Sequence, residues 1–219
     1  MASRLTPDEL AQAAVILSRH LEHCGTHFSI SGGAAASLLR FKYQTTARYT
    51  DDIDLVVQPK GNIDAESVSK WLYDTYPEVF GTKEIYGVLT PVVKFTRADG
   101  SMIEIDIEIF DVRAWPTRPQ YDLSSPDNEC ITVPVDGVMI PIFGPRWILR
   151  EKIVTAYERQ NTQKEDTDLQ DISRLLLLRG PEAVDLSHYP EAVEHVLSKL
   201  PGLESFLKQK VRCPSVLGN

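Results

Sequence analysis

The segment that most constrains the fold is residues 103–109, which alternate strictly as Ile-Glu-Ile-Asp-Ile-Glu-Ile. Successive side chains of a β-strand point to opposite faces of a sheet, so the isoleucines would share one face and the acids the other. Apolar residues at every second position do not form one side of a helix. The segment therefore predicts a strand with a packed face and an acidic face. A solvated face would explain the acids, and a bound cation is the alternative.

A second acidic segment, residues 52–57, reads Asp-Ile-Asp-Leu-Val-Val. Asp52 and Asp54 are two apart, so on a strand their carboxylates project together. Like charges held close together are unfavourable without a counter-ion, and oxygen ligands suit Mg²⁺ or Mn²⁺. A polar strand start is the other interpretation of an isolated pair of this kind. From the alternating segment we select the central acid, Asp106, as the third carboxylate of a metal site.

A glycine pair precedes the acidic segments, in the sequence Ser-Gly-Gly-Ala at residues 31–34. It lies between a short apolar strand and a helix of small residues that we expect over 34–41. Glycines allow the backbone to approach a ligand closely, and the first turn of the helix offers N–H groups to an anion. The pair thus favours a phosphate site, although glycine turns without a ligand are common.

The remaining pattern predicts an N-terminal α/β domain at 1–144 and a helical C-terminal domain at 145–219. The first helix begins after Thr6, which forms a capping box with Glu9, and runs to about His23. Two Asp-Gly pairs, at 99–100 and 136–137, each predict a β-hairpin. The helices expected in the C-terminal domain are 145–160, 166–179, 190–199 and 202–211.

Composition excludes some classes of protein. The 219 residues carry a net charge of −8, which is not the footprint of a protein that is basic overall and binds nucleic acid. Apolar runs are too short for a membrane helix, the N-terminal residues lack the apolar core of a secretion signal, and the three cysteines have no zinc spacing. We therefore expect a cytoplasmic protein that has no membrane partner. The sequence does not specify its oligomeric state.

Three features follow one another along the sequence: the glycine pair, the Asp-x-Asp strand start and the third acid on a later strand. In this order they resemble the pattern of the nucleotidyltransferase superfamily of the polymerase β type. This resemblance implies an α+β nucleotidyltransferase fold, in which helices flank a mixed β-sheet and a helical C-terminal part follows. It further implies that the glycine turn holds a triphosphate and that the carboxylates hold two metal ions.

A narrower likeness is to the AbiEii and MenT-type toxin nucleotidyltransferases. It extends in ordered pieces over about residues 28–180. The matching pieces are 31–39, 48–55, 149–159 and 164–172.

The resemblance implies a role for each matching residue. The nucleotide-binding residues that it implies are Ser31, Gly32, Gly33, Ala34, Arg48, Thr50, Lys152, Asp168 and Asp171. The implied catalytic residues are Asp52, Asp54, Asp106 and Lys152, of which the three aspartates would bind Mg²⁺ or Mn²⁺.

The expected activity is transfer of a nucleoside monophosphate from a nucleoside triphosphate, ATP among the candidates, to an acceptor hydroxyl, with release of pyrophosphate. The acceptor stays open between an RNA or tRNA end, a protein and a small molecule. An RNA acceptor would need a local basic track despite the acidic total. The candidate residues for that track are Arg40, Lys42, Arg48, Arg146, Arg150, Lys152, Arg159 and Lys164.

Two other functions fit parts of the pattern. The interval between Gly33 and Asp52 is longer than in compact nucleotidyltransferases, which suits a non-catalytic module that senses nucleotides or binds a partner. The Asp-x-Asp at 52–54 also occurs in metal-dependent glycosyltransferases, although the early glycine turn and the short chain disfavour that class.

Overall fold

The two acidic segments form neighbouring strands in the middle of a seven-stranded mixed sheet. The computed structural model describes residues 5–85, 87–179 and 182–219. Its chain divides into two compact units, Met1–Phe143 and Gly144–Asn219. The expectation of an α+β fold, with a mixed sheet flanked by helices, is confirmed.

The first unit contains four helices and seven strands within the described residues. Its helices are α1 (Pro7–Cys24), α2 (Gly32–Leu38), α3 (Arg40–Tyr43) and α4 (Ala65–Thr75). Its strands are β1 (Phe28–Ile30), β2 (Asp52–Val57), β3 (Phe80–Ile85), β4 (Val88–Thr96), β5 (Met102–Phe110), β6 (Cys130–Val135) and β7 (Val138–Phe143). The strand order across the sheet is β3-β4-β5-β2-β1-β7-β6.

Strand direction sets which residues of the central strands are neighbours. β2 runs antiparallel to β1 and parallel to β5. In the parallel pair, Asp52 lies beside Asp106 and Asp54 lies beside Glu108. Residues that are neighbours across two strands point to the same face of a sheet, so these four acids share one face. The alternate residues Ile53, Leu55, Ile105 and Ile107 form part of the core on the other face.

Local signals place the elements largely as the sequence predicts. Thr6 and Glu9 form the expected capping box at the start of α1, and Gly25 closes that helix in the left-handed conformation. The hairpin between β6 and β7 turns at Asp136 and Gly137, which both have positive φ, as a tight two-residue turn requires. The helix expected over 34–41 is different: it begins at Gly32 and breaks at Leu39.

The second unit is mainly helical. Its helices are α5 (Pro145–Glu158), α6 (Gln163–Leu176), α7 (Pro190–Lys199), α8 (Glu204–Lys210) and α9 (Pro214–Leu217). Two short parallel strands, β8 (Val184–Asp185) and β9 (Val211–Arg212), also occur in it. Within the described part of the chain, none of the helices has the length and apolar character needed to cross a bilayer.

Candidate active site

The acidic face of β2 and β5 brings the three predicted metal-binding carboxylates onto adjacent strands. Asp52 and Asp106 are direct neighbours in the parallel register, and Asp54 follows Asp52 on the same face. All three are partly buried. The Thr50 hydroxyl donates a 2.7 Å hydrogen bond to Asp52 Oδ1, which orients that carboxylate.

The glycine turn lies directly against this face. The Ser31 N–H donates to the Asp54 carbonyl at 2.8 Å, so the turn is fixed to β2. Gly32 has a φ of +58°, and a Cβ there would lie 2.8 Å from Asp54 Cγ and closer still to its Oδ2. Only glycine accepts both this backbone conformation and this neighbour. The glycine turn and Asp54 are therefore in direct contact, and a side chain at position 32 would displace Asp54.

The second glycine of the pair makes room for Arg48 and Thr50. A Cβ on Gly33 would lie 2.8 Å from Arg48 Cζ and 2.8 Å from Thr50 Oγ1. The Ser37 hydroxyl donates to the Arg48 carbonyl at 2.9 Å, which ties α2 to the segment that enters β2. Ser31, Gly33, Arg48 and Thr50, all predicted to bind the nucleotide, thus lie together beside the acidic face.

A lysine that the sequence analysis did not select reaches the same face. Lys83 on β3 places its Nζ 3.1 and 3.2 Å from the two carboxylate oxygens of Asp106. Its side chain is 52% exposed and that of Asp106 is 26% exposed. Lys83 lies in a strand that shows no apolar alternation, so no sequence signal linked it to Asp106.

The donor atoms of this face are of the chemical type that a hard divalent cation prefers. They are carboxylate oxygens, which Mg²⁺ and Mn²⁺ prefer, and Asp106 already holds a cationic group there in the form of Lys83. Among the side chains that the structure describes, no group of three or more His, Cys, Asp or Glu residues is arranged to hold a metal ion.

In the second unit, Lys152 is the centre of a buried ionic cluster. Its Nζ lies 2.6 Å from Asp168 Oδ1 and 3.2 Å from Asp171 Oδ2, and its side chain is only 11% exposed. Asp168 Oδ2 also accepts from the Thr155 hydroxyl and from Arg159, each at 3.2 Å. The cluster ties α5 to α6. The structure thus brings Lys152, Asp168 and Asp171 together as partners of one another, and their implied role in nucleotide binding stays a prediction.

Most of the basic residues that we named for an RNA track have acidic partners within their own unit. Arg40 pairs with Asp8 at 2.6 Å. The same holds for four residues of the second unit: Arg146, Arg150, Lys152 and Arg159. These ion pairs do not support a continuous basic track made of the named residues.

Comparisons with known proteins identify a relative that matches this chain over its full length. The crystal structure of an antigenic nucleotidyltransferase-like protein from Paracoccidioides brasiliensis has a TM-score of 0.89 and 33% sequence identity to this chain, and the match covers 99% of this chain and 100% of the other. No protein-family model and no curated protein matches the sequence.

Two further solved structures are more distant. The antibiotic-resistance factor ANT(2'')-Ia has 13% identity and a TM-score of 0.45, with 92% of this chain and 94% of that chain covered. The Megavirus polyadenylate synthase has 15% identity and a TM-score of 0.47, with 93% of this chain and 40% of that chain covered.

Proposed function

Since this chain belongs to the family of nucleotidyltransferase-like proteins, we propose that it transfers a nucleoside monophosphate from a nucleoside triphosphate to an acceptor hydroxyl and releases pyrophosphate. The observation that carries the proposal is the position of Asp52 beside Asp106, with Gly32 packed directly against Asp54. A phosphate-binding turn and a carboxylate face are the two parts that this reaction needs.

The proposed step is an in-line displacement at phosphorus. The acceptor oxygen attacks the α-phosphorus, the bond from that phosphorus to the bridging oxygen breaks, and pyrophosphate leaves with the electron pair. Asp106, assigned as the general base, accepts the proton of the acceptor hydroxyl. Mg²⁺ or Mn²⁺, when bound, would neutralise charge on the phosphates. Asp52 and Asp54 would hold the ions together with Asp106, which would release Lys83.

The triphosphate is assigned to the glycine turn and its neighbours. N–H groups in the first turn of a helix lack an intrahelical acceptor, so those of Gly33 and Ala34 can donate to phosphate oxygens. Arg48 and Thr50 line the side of the turn where Gly33 leaves space. Ser31, at the N-cap of α2, has no hydrogen bond from its side chain to the cap, so we assign its hydroxyl to the same phosphates.

The roles implied for Lys152, Asp168 and Asp171 stay predictions. Lys152 would have to leave at least one of its carboxylate partners to bind a phosphate. A structural role that joins α5 to α6 therefore competes with the nucleotide role. The closer likeness to AbiEii and MenT-type toxins also stays a prediction, as does the identity of the nucleotide.

Thermal unfolding with each nucleoside triphosphate tests the proposal. With ligand at 100 times its Kd, Mg²⁺ and the nucleotide together should raise Tm by about 5–10 °C, and neither should do so alone. Asp54→Asn should abolish the joint shift and pyrophosphate release, because it removes a metal-binding charge. Asp51→Asn is the matched control, since Asp51 is the exposed acid just before β2. An unchanged joint shift in Asp54→Asn would refute the metal role.

One observation favours a second function, that of a non-catalytic nucleotide-binding module. The ion pair of Lys83 with Asp106 places a fixed cation on a predicted metal ligand. In that case the nucleotide would stabilise the wild-type protein equally with and without Mg²⁺, and no pyrophosphate would form.

The variant Lys83→Met tests whether Lys83 competes with a metal ion for Asp106. If Lys83 only competes with the metal, its removal should tighten Mn²⁺ binding several-fold in calorimetry. Lys70→Met is the matched control, because Lys70 forms a similar exposed pair with Asp74 at 3.0 Å on α4. Equal Mn²⁺ affinity in both variants and the wild type would show that Lys83 does not compete at this site.

A further inference from the structure

The hairpin formed by β3 and β4 extends beyond the ladder that joins it to the rest of the sheet. β3 pairs with β4 as far as the last pair before the turn, Ile85 with Val88. The described ladder between β4 and β5 covers residues 92–96 of β4. Residues 82–85 and 87–90 therefore lie beyond the ladder with β5, and we call these two stretches the arm.

The arm has little apolar packing to hold it in place. None of its residues is buried, and two large apolar residues next to its turn, Val88 and Leu89, are 64% and 60% exposed. Adjacent residues of a strand point to opposite faces, so this end of the arm is exposed on both faces. A two-stranded ribbon without a packed face is marginally stable in water. A single polar contact can therefore decide where the arm lies.

Lys83 joins the arm to the central strands. It lies beside Thr90 within the arm, yet its Nζ donates to both carboxylate oxygens of Asp106, at 3.1 and 3.2 Å. Asp106 is the residue of β5 at which two ladders meet, since it pairs with Val92 on one side and with Asp52 on the other. The contact therefore spans the point at which the arm leaves the sheet.

The ion pair is weak enough to open. The Lys83 side chain is about half exposed and that of Asp106 about a quarter exposed, so water competes for both partners. Exposed ion pairs of this kind favour the joined state by about fivefold or less. The latched arm and the open arm therefore differ little in free energy, and both states are populated. A ligand that binds only one of the two states shifts the ratio between them.

Charge decides which kind of ligand opens the arm. Asp52, Asp54 and Glu108 share the face on which Asp106 lies, so this face attracts a divalent cation. A cation that binds the Asp106 carboxylate meets the Lys83 ammonium group on the same two oxygens, and like charges repel each other strongly at such short distances. The cation and the arm therefore compete for one carboxylate.

We propose that the arm is an autoinhibitory latch: Lys83 holds it on Asp106 in the absence of a divalent cation, and a cation that binds Asp106 releases it. The latch is inhibitory because the bound arm lowers the affinity of the acidic face for the cation. The release step rests on the proposed function, which supplies the divalent cation, whereas the latch itself needs only Lys83 and Asp106.

Hydrogen exchange of the arm amides, followed by mass spectrometry in EDTA and without nucleotide, tests the latch. Exchange should be about two- to fivefold faster in Lys83→Met than in the wild type, since the ribbon opens more often without its anchor. Asp106→Asn should give a similar increase, and the double variant should add nothing further, because both single changes remove one contact. Lys70→Met is the matched control, since its ion pair with Asp74 lies on α4. Unchanged exchange in β1 and β2 checks that each variant is folded.

Mn²⁺ tests the release of the arm. At a concentration that saturates the wild type in calorimetry, Mn²⁺ should speed exchange of the arm amides by about the same factor, and it should leave the arm of Lys83→Met unchanged.

Three results would overturn the latch: unchanged arm exchange in folded Lys83→Met, fully additive effects in the double variant, and no acceleration of arm exchange by bound Mn²⁺. The proposed function fails separately. A chain that forms no pyrophosphate but whose arm responds to Mn²⁺ and to Lys83→Met keeps the latch and loses the transferase. A chain that forms pyrophosphate but whose arm exchange is the same in Lys83→Met keeps the transferase and loses the latch.

Discussion

At the scale of single residues, Gly32 is the position at which the backbone of the glycine turn packs against Asp54 of the candidate site. Its positive φ and its contact with Asp54 are two separate requirements, and each excludes a side chain. Gly61 has nearly the same φ, +59°, but no atom lies within 4 Å of the Cβ that would be added there. The two glycines therefore allow the conformational cost of an alanine to be separated from the cost of displacing Asp54.

We predict that Gly61→Ala lowers the free energy of unfolding by about 1 kcal/mol, the cost of a left-handed residue with a Cβ. Gly32→Ala should lower it further and should also abolish the joint stabilisation by nucleotide and Mg²⁺, since Asp54 must move. Urea denaturation and thermal shift measure the two effects. If Gly32→Ala keeps full nucleotide stabilisation, the contact between the turn and Asp54 has no functional role.

Sequence alone could predict part of this site. The two-residue period of a strand places Asp52 and Asp54 on one face whatever the sheet looks like. The pairing of these strands depends on a register between distant segments, which local pattern does not encode. The register that forms places Asp106 beside Asp52 and Glu108 beside Asp54, so our choice of the central acid stays a prediction. Lys83 was not predicted, because its contact with Asp106 passes across β4.

At the scale of elements, the Lys152 cluster connects α5 with α6. The two carboxylates it neutralises, those of Asp168 and Asp171, are almost fully buried. Removing only the lysine would leave them without their closest cation. Arg159 also contacts Asp168 but is 44% exposed, so water can replace it.

Lys152→Met should therefore destabilise the protein by about 3–5 kcal/mol, whereas Arg159→Met should cost less than about 1 kcal/mol. Guanidinium denaturation followed by circular dichroism measures both. The double variant Lys152→Met with Asp168→Asn should recover part of the loss, because one buried charge disappears. A loss below 1 kcal/mol for Lys152→Met would mean that the lysine is free to serve the nucleotide.

The elements that the sequence predicted are those with strong local signals. A capping box, a helix-ending glycine and Asp-Gly hairpins act within a few residues, so they can be recognised without the fold. Strand β3 was missed because its sequence, Phe-Gly-Thr-Lys-Glu-Ile, shows no apolar alternation. It lies at the edge of the sheet, where polar side chains are common because they discourage pairing with other chains.

At the scale of the whole molecule, several carboxylates are held by hydrogen bonds from the backbone. The Asn161 N–H, 2.5 Å away, is the main cause of a lowered pKa at Glu165, with His195 and Lys199 as further partners. The Ser67 N–H likewise lowers the pKa of Asp64 at the start of α4. The Thr6 N–H does the same for Glu9 in the capping box of α1.

These shifts predict loss of stability in acid. A carboxyl group whose pKa is lower in the folded state stabilises the protein above its unfolded pKa, about 4.3 for glutamate, and this contribution disappears as pH falls through the folded pKa. The Tm difference between wild type and Glu165→Gln should therefore be greatest near neutral pH and should shrink below about pH 4. Glu194→Gln, an exposed change on α7, should show little difference at any pH. A difference in Tm between wild type and Glu165→Gln that grows as the pH falls would contradict a lowered pKa of Glu165 in the folded protein.

The ion pair between Lys83 and Asp106 has a consequence for how the molecule is assembled. The acidic face acquires a counter-charge from its own polypeptide, supplied by an edge strand of the same sheet. The central strands can therefore pair and pack in a medium depleted of magnesium. Under the proposed function, ion loading would then be an exchange on a finished scaffold, so that maturation of the chain and activation by the metal would be separate events.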